Sequence, residues 1–277
     1  MRYAITIPNF GDFADPHVVA AVARRAEEAG WDGLFVWDHV VELKQLRRHI
    51  ADPWILLTTA ALATSRIRLG TAITPVARRR PAKLAREVTT LDRLTGGRMV
   101  LGVGLGAPVE DEYGSFGDTT DLGVLAERLD EGLEALELLW SGEAVNYRGN
   151  QVVVDDVVMV PTPVQRPRVP IWVGGFWPNK PPMRRAARWD GAFPVFEGAE
   201  EARPPDAKAV RELVSFVRGE RTATTPFDIV VGGATTSGDA VAELADAGAT
   251  WWSEGLPWAD ADRADLVLAR IEAGPPR

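Results

Sequence analysis

Cysteine is absent from this chain of 277 residues, and histidine occurs three times. Without thiols the chain can form no disulfide, no cysteine nucleophile and no cysteine-ligated zinc or iron–sulfur site. Three histidines, His17, His39 and His49, are too few for a histidine-rich metal centre, so no metal cofactor is expected.

Long apolar runs and an excess of positive charge are also missing. No run reaches the length of about 18 apolar residues that a membrane span requires, so no membrane contact is expected. The apolar part of the N-terminal MRYAITIPNFGDF is too short for a signal peptide, and a cytoplasmic location is the expectation. A net charge of −8 does not provide a basic footprint, so no nucleic-acid partner is expected.

The chain does have a regular alternation of apolar, strand-like runs and helical segments. Two helices are predicted to begin at Asp15-Pro16 and Asp52-Pro53, because Asp is a favoured N-cap and Pro suits the first helical position. The strands are continuous apolar runs, as parallel strands covered on both faces should be. Eight such units predict an α/β fold, a (β/α)8 TIM barrel, rather than an open doubly wound sheet. We expect one domain, residues 1–277, with an insertion at about 107–169 after strand four that contains a small hairpin.

Polar residues and glycines follow the predicted strands. Ligands of such barrels bind at the carboxyl ends of the strands, so these residues should converge on one mouth. The sharpest case is the apolar run Leu34 to Trp37, which ends on Asp38 and His39. In the functional interpretation His39 is a general base or a donor to a ligand ring, and Asp38 orients it. The alternative is a loop cap beside a histidine whose hydrogen bonds are satisfied.

Two glycine motifs suggest close contact with a ligand. GVGLGAP at 102–108 has no helix directly after it, so a flat group approaching the backbone is favoured over a dinucleotide fingerprint. VGGFWPNKPP at 173–182 leads into a helix, whose free N–H groups could hold a phosphate with help from Arg184 and Arg185. A plain turn and helix cap is the alternative there.

Three further features have two interpretations each. The cluster VARRRPAK at 76–83 is either a clamp for an anionic cofactor tail or a solvated face. The loop EDEYGSFGD at 110–118 is either a substrate wall or a solvated loop. Seven of the ten tryptophans are assigned a place. Four should pack between helices and barrel, namely Trp140, Trp189, Trp251 and Trp252. Three could line a pocket for an aromatic ligand, namely Trp37, Trp177 and Trp258.

Taken together, these segments resemble the bacterial luciferase-like monooxygenase family. Matching pieces run from ITIPNFGDF through AEEAGWDGLFVWDH and RIRLGTAITPVARRRPAKLAREVTTLDRLTGGRMVLGVGLG to PVQRPRVPIWVGG and RRAARWDGAFP. The resemblance implies a barrel that binds FMN or a deazaflavin at its mouth, with the phosphate near the loop after strand five. It also implies a non-prolyl cis peptide between Ala72 and Ile73 beneath the ring.

The resemblance further implies a flavin-dependent oxidoreductase that acts on a small organic substrate. It would use reduced FMN with dioxygen, or the deazaflavin coenzyme F420 as a hydride carrier. A separate flavin reductase and a homodimer are additional expectations. A flavin-binding protein without turnover stays open, as does a hydrolase built on Asp38, Glu112 and Glu254.

The candidate site residues fall into three groups. They are His39 and Asp38 for catalysis; Asn9, Trp37, Ala72, Ile73, Thr74, Gly104, Gly106, Gly174, Gly175 and Phe176 for the cofactor; and Glu112, Tyr113 and Trp177 for the substrate.

Overall fold

The computed structural model describes residues 1–276 and alternates strands with helices, as predicted. The strands are β1 (Arg2–Ile7), β2 (Gly33–Val36), β3 (Arg68–Thr71), β4 (Thr74–Pro75), β5 (Met99–Gly104), β6 (Ala144–Arg148), β7 (Val153–Val158), β8 (Ile171–Phe176), β9 (Gly191–Val195), β10 (Asp228–Gly233) and β11 (Trp251–Glu254). The helices are α1 (Pro16–Glu28), α2 (Pro53–Ala63), α3 (Pro81–Leu94), α4 (Val109–Glu112), α5 (Leu122–Leu139), α6 (Lys180–Ala186), α7 (Ala207–Glu220), α8 (Gly238–Asp246) and α9 (Ala264–Glu272).

Eight parallel strands close into a ring in the order β1-β2-β3-β5-β8-β9-β10-β11, and β11 pairs again with β1. The predicted (β/α)8 barrel is therefore confirmed. The short strand β4 continues β3 beyond a bulge and pairs with the end of β5. The carboxyl ends of the eight strands form one edge of the barrel, called the rim below.

Local capping explains why the first two helices begin where they do. The side chain of Asp15 accepts a hydrogen bond from the amide of His17 at 2.8 Å. Asp52 accepts from the amide of Trp54 at 2.9 Å. Both carboxylates satisfy N–H groups that have no partner inside the helix.

The barrel interior is filled by an aromatic plug, defined as Phe35, Trp172 and Trp251. Ring centroids lie 5.1 Å apart for Phe35 and Trp172 and 5.2 Å apart for Trp172 and Trp251. Trp251 was expected between helices and barrel, and that prediction is wrong. Its strand neighbour Trp252 takes that outer place, because successive side chains of a strand point to opposite faces.

The segment predicted as an insertion has two parts. Helix α5 packs against α3 in the outer layer, where the Trp140 indole donates to the carbonyl of Ala85 at 3.2 Å. The addition to the barrel repeat is the antiparallel hairpin of β6 and β7. Glu131 of α5 accepts three amides of the hairpin turn at 2.8 Å each, from Asn150, Gln151 and Val152.

Membrane insertion through a helix has no support in residues 1–276, where every helix is too short or too polar for a span.

Candidate functional site

Small residues form a floor just above the aromatic plug. Two positions beyond each inward-facing plug residue, or beyond its smaller neighbours Ala4, Val100 and Val230, the strands again point inward. Beyond Phe35 this position is Trp37, and the five small residues at the other positions, Thr6, Gly102, Gly174, Gly232 and Ser253, are called the floor below. The Thr6 and Ser253 hydroxyls hydrogen bond to each other. Thr6, Gly174 and Gly232 are partly exposed, so a flat group can reach this surface from the rim.

The bulge between β3 and β4 carries a cis peptide between Ala72 and Ile73, where the resemblance places one. The Ile73 side chain lies over the strand glycines. A Cβ atom built on Gly104 would come within 2.7 Å of Ile73 Cδ1, and one on Gly174 within 2.9 Å of Ile73 Cγ2. Ile73 is thus the close protein neighbour of these glycines, and their predicted contact with the cofactor stays a prediction.

Two other glycines predicted for the cofactor are also fitted to protein atoms. Gly106, at φ +81°, faces Pro75, whose Cγ would lie 2.7 Å from an added Cβ. Gly175 faces Pro182, whose Cβ would lie 2.3 Å away. Both glycines therefore allow close packing of prolines.

His39 stands on the loop after β2, with its backbone held by Asn9. The Asn9 amide donates to the His39 carbonyl at 2.8 Å and to the Ala51 carbonyl at 2.7 Å. The His39 N–H donates to Asn9 Oδ1 at 3.1 Å. Asn9 is fully buried. Its polar atoms shape the His39 loop, and its predicted contact with the cofactor stays a prediction.

The imidazole of His39 is anchored on one side. Its Nδ1 lies 3.0 Å from Glu112 Oε1, and its ring makes edge contacts with Phe10 and Trp37 at centroid distances of 6.0 Å. Within the described residues Nε2 makes no hydrogen bond, and the side chain is 19% exposed. His39 can therefore exchange a proton at Nε2 with a molecule at the rim.

Glu112 is buried, and its carboxylate collects several donors. The amides of Val40, Val41 and Glu42 donate to it at 3.1, 3.2 and 2.7 Å, and Arg78 forms an ion pair with it. Burial alone would raise the pKa of Glu112, but the His39 hydrogen bond, the Arg78 charge and the Glu42 amide lower that pKa to about 2. Glu112 thus organises the loop that carries His39, and its predicted contact with the substrate stays a prediction.

Asp38 does not contact the imidazole that it was expected to orient. Its fully buried carboxylate accepts from Arg78 at 2.7 Å and from Arg79 at 2.8 Å. Both arginines are largely buried in these ion pairs, so the solvated-face interpretation of the basic cluster does not hold for them, and the clamp for an anionic tail stays a prediction. Arg80, by contrast, is exposed.

The other two substrate candidates are buried and packed against protein groups. The Tyr113 hydroxyl donates to the Leu105 carbonyl at 2.6 Å, and burial raises the pKa of Tyr113. The Trp177 ring packs on Phe216 at 5.9 Å between centroids, with Lys180 Nζ 3.7 Å from its centre. Glu254, expected at the mouth, instead accepts from Trp252, Arg270 and Thr235 in the outer layer.

Three aromatic candidates do remain at the rim. Trp37 is partly exposed and meets Trp258 edge-on at 6.1 Å, and Trp258 is 40% exposed. Phe176 is 52% exposed at the end of β8. Thr74 is buried, and its hydroxyl has no hydrogen-bond partner among the described residues.

A cleft of about 430 Å³ opens beside the His39 loop. This volume lies in the range of small-molecule sites. The cleft is lined by Val40, Arg78, Glu112, Tyr113, Phe116, Gly117 and Asp118.

Sequence reasoning missed three parts of this site. The floor residues Thr6 and Gly232 could have been found by counting two positions beyond inward-facing strand residues. The Glu112–Arg78 pair carries no local signal, because its members are 34 positions apart.

Comparison with known proteins gives a consistent picture. The family model described as luciferase-like monooxygenase matches residues 2–273. An F420-dependent glucose-6-phosphate dehydrogenase of Amycolatopsis mediterranei is 31% identical over 176 residues, 62% of this chain and 51% of the relative. An F420-dependent hydroxymycolic acid dehydrogenase of Mycobacterium tuberculosis is 32% identical over 210 residues, 74% of this chain and 54% of the relative. The chain thus spans about half the length of these curated relatives.

Solved structures share the fold. An F420-dependent secondary alcohol dehydrogenase, in complex with an F420-acetone adduct, superposes with a TM-score of 0.77 at 16% identity and covers 99% of both chains. The monooxygenase RslO1 from Streptomyces bottropensis gives a TM-score of 0.73 at 20% identity over 98% of both chains.

Proposed function

The chain belongs to the luciferase-like monooxygenase family, and from this premise we propose that it is an oxidoreductase using a tricyclic cofactor at the rim. We favour the deazaflavin coenzyme F420, because two curated relatives above 30% identity are named as F420-dependent. The substrate is a small organic molecule that lies over the cofactor ring, next to His39.

The arrangement of His39 carries this proposal. Glu112 engages Nδ1, Nε2 is free of hydrogen bonds within residues 1–276, and the His39 side chain is 19% exposed. A histidine held in this way is suited to take up or release a proton at one defined atom. A hydride transfer that oxidises an alcohol also requires the hydroxyl proton to leave, and Nε2 is placed to accept it.

The residues around the floor suit a flat tricyclic ring. The Ile73 side chain provides apolar surface beside the small floor residues. Trp37 and Phe176 provide exposed aromatic surface at the rim. When bound, the deazaflavin would supply a carbon that accepts or returns a hydride. The protein would contribute position, exclusion of water from the ring face and the proton transfer at His39.

A second candidate is monooxygenation with reduced FMN and dioxygen. The description of the matching family model and the fold shared with RslO1 favour it. This version requires a separate flavin reductase as partner, and in either version a homodimer remains a proposal.

Titration with both cofactors tests the proposal. Purified protein is titrated with F420 and with FMN, each oxidised and reduced, and binding is followed by cofactor fluorescence. The F420 complex is then mixed with a panel of alcohols that includes propan-2-ol and glucose 6-phosphate, and the FMN complex is exposed to air. We expect F420 to bind and to be reduced by a member of the panel.

The variant His39→Asn distinguishes turnover from simple binding. We expect it to bind the cofactor normally and to lose about 100-fold or more in turnover. Unchanged turnover with normal binding would refute the role of His39 and favour a different catalytic group. Failure of both cofactors to bind the wild-type protein would refute the proposed function.

A further inference from the structure

We infer that Arg78 is a positioning residue for His39, and that it acts through Glu112. The inference rests on the proposed function, in which Nε2 of His39 exchanges the proton. Arg78 ends the 3-10 turn Val76–Arg78, which follows β4 at the rim. Its side chain is 12% exposed, so the guanidinium lies largely among protein atoms.

The guanidinium bridges two segments of the rim. One terminal nitrogen, Nη2, donates to the carbonyl oxygen of Asp38 at 2.9 Å and to Oδ1 of the same residue at 2.7 Å. The other, Nη1, donates to Oε2 of Glu112. Asp38 directly precedes His39, and Glu112 Oε1 lies 3.0 Å from the imidazole Nδ1. Arg78 therefore links the backbone before the imidazole to the carboxylate beside the imidazole.

The two oxygens of Glu112 have different partners. Oε1 meets His39 and accepts two backbone amides of the His39 loop at 3.2 and 2.7 Å. Oε2 accepts from Arg78 and from the Val40 amide, which lies at 3.1 Å. Among the side chains of residues 1–276, Arg78 is the one that donates to Oε2. It therefore fixes the rotation of the carboxylate, and with it the oxygen that meets His39.

An arginine suits this bridge better than a lysine would. The two ends of its rigid, planar group serve different acceptors at a fixed spacing, whereas a lysine presents a single nitrogen on a flexible stem. The backbone that carries Arg78 is fixed as well, since Val76 and Ala77 are buried. Gly132 of α5 leaves room for Val76, because an added Cβ would lie 2.7 Å from Val76 Cγ1. The guanidinium is thus presented from a rigid segment, as a positioning group must be.

The neighbouring Arg79 provides a matched comparison. Its side chain is 17% exposed, and its Nη2 lies 2.8 Å from both carboxylate oxygens of Asp38. Within residues 1–276 its other ion pair is with Glu87, at 3.9 Å. Arg79 therefore matches Arg78 in burial, in charge and in the contact with Asp38, and it differs in having no hydrogen bond to Glu112.

A double-mutant cycle tests whether Arg78 acts through Glu112. Turnover is measured at saturating cofactor with the substrate found in the cofactor titrations. We expect Arg78→Lys to lower turnover by about tenfold or more in the wild-type background, because a hydrogen bond between charged groups is lost. In the Glu112→Gln background the same change should lower it by less than about threefold. Arg79→Lys is the control, and its effect should be the same in both backgrounds. Equal losses for Arg78→Lys in the two backgrounds would overturn the inference.

Nitrogen NMR of the His39 ring gives a readout that needs no turnover. The chain has three histidines, and the spectrum of His39→Asn assigns the signal of His39. In protein without cofactor we expect the Nδ1-protonated form in the wild type and in Arg79→Lys, and a mixture of tautomers in Arg78→Lys. An unchanged tautomer in Arg78→Lys would overturn the inference. If neither cofactor binds, the proposed function fails, and this spectrum still decides whether Arg78 fixes the ring.

Chemical rescue tests the role of the planar group. The cleft of about 430 Å³ is lined by both Arg78 and Glu112, so a small cation can enter at the place that Arg78→Ala vacates. Guanidinium chloride, far below the concentrations that unfold proteins, should raise the turnover of Arg78→Ala by about tenfold. Sodium chloride and urea at the same concentration should not. No rescue in the folded variant, or equal rescue by sodium chloride, would overturn the inference. If Arg78→Ala does not fold, the cycle and the NMR spectra of Arg78→Lys decide.

Discussion

Glu112 fixes His39 from a position 73 residues further along the chain, with Oε1 3.0 Å from Nδ1. Because the pKa of Glu112 is about 2, its carboxylate is ionised at neutral pH and can only accept a hydrogen bond. The neutral imidazole is therefore expected to carry its proton on Nδ1 and to leave Nε2 bare. Glu112 is thus a positioning residue for His39.

The first prediction concerns this positioning. Glu112→Gln should lower turnover by about tenfold or more while changing the cofactor Kd by less than about threefold, because the tautomer of His39 is no longer fixed. Nitrogen NMR of the His39 ring reports the tautomer directly. Asp38→Asn is the matched control, and a tautomer shift in that variant instead of Glu112→Gln would contradict our assignment.

The second prediction concerns acid stability. The folded pKa of Glu112, about 2, lies below its ordinary value of 4.5, so the stabilisation is present above pH 4.5 and is lost as pH falls towards 2. The difference in unfolding free energy between wild type and Glu112→Gln should shrink by about 2 kcal/mol from pH 6 to pH 3. Urea unfolding at the two pH values measures it. A difference independent of pH would disprove the low pKa.

A third prediction tests the fit between Ile73 and the strand glycines. Gly104→Ala should lower the unfolding free energy by about 1–3 kcal/mol, because its Cβ would lie 2.7 Å from Ile73 Cδ1. Ile73→Val removes that atom and should recover at least half of the loss in the double variant. Gly255→Ala, with open space around it, is the control. Simple additivity of the two substitutions would show that Ile73 is not the limiting contact.

A fourth prediction separates two tryptophans. Trp177→Ala should cost about 3–5 kcal/mol of unfolding free energy, since this ring is 8% exposed and packs on Phe216. Trp258→Ala should change stability little and raise the KM for the substrate found in the cofactor titrations by about tenfold, because its exposed ring extends the wall beside Trp37. Thermal unfolding and steady-state kinetics test both. The reverse assignment of effects would restore Trp177 as a substrate contact.

The sequence predicts the fold well, since its signals are local and repeated eight times along the chain. Asp15 and Asp52 indicate the starts of two helices, and apolar runs indicate buried strands. The position of His39 at the rim follows from the same regularity. The contact between His39 and Glu112 does not follow from it, because Glu112 lies 73 residues away in a segment without the regular strand–helix pattern.

Glycine spacing predicts close approach but does not identify what approaches. At Gly104 and Gly174 the neighbour is Ile73, whose side chain comes from the bulge between β3 and β4. In the segment 173–185 the glycines have protein neighbours as well, since Gly175 faces Pro182, a contact that the spacing does not predict.

The aromatic plug has a consequence for the order of events in a catalytic cycle. Phe35, Trp172 and Trp251 close the barrel below the floor, so a molecule can reach the floor from the rim side alone. Two molecules stacked on the floor would have to enter and leave through the same opening at the rim. The deeper one must arrive first and depart last, which makes binding sequential and excludes random order for any pair of ligands that stack at this site.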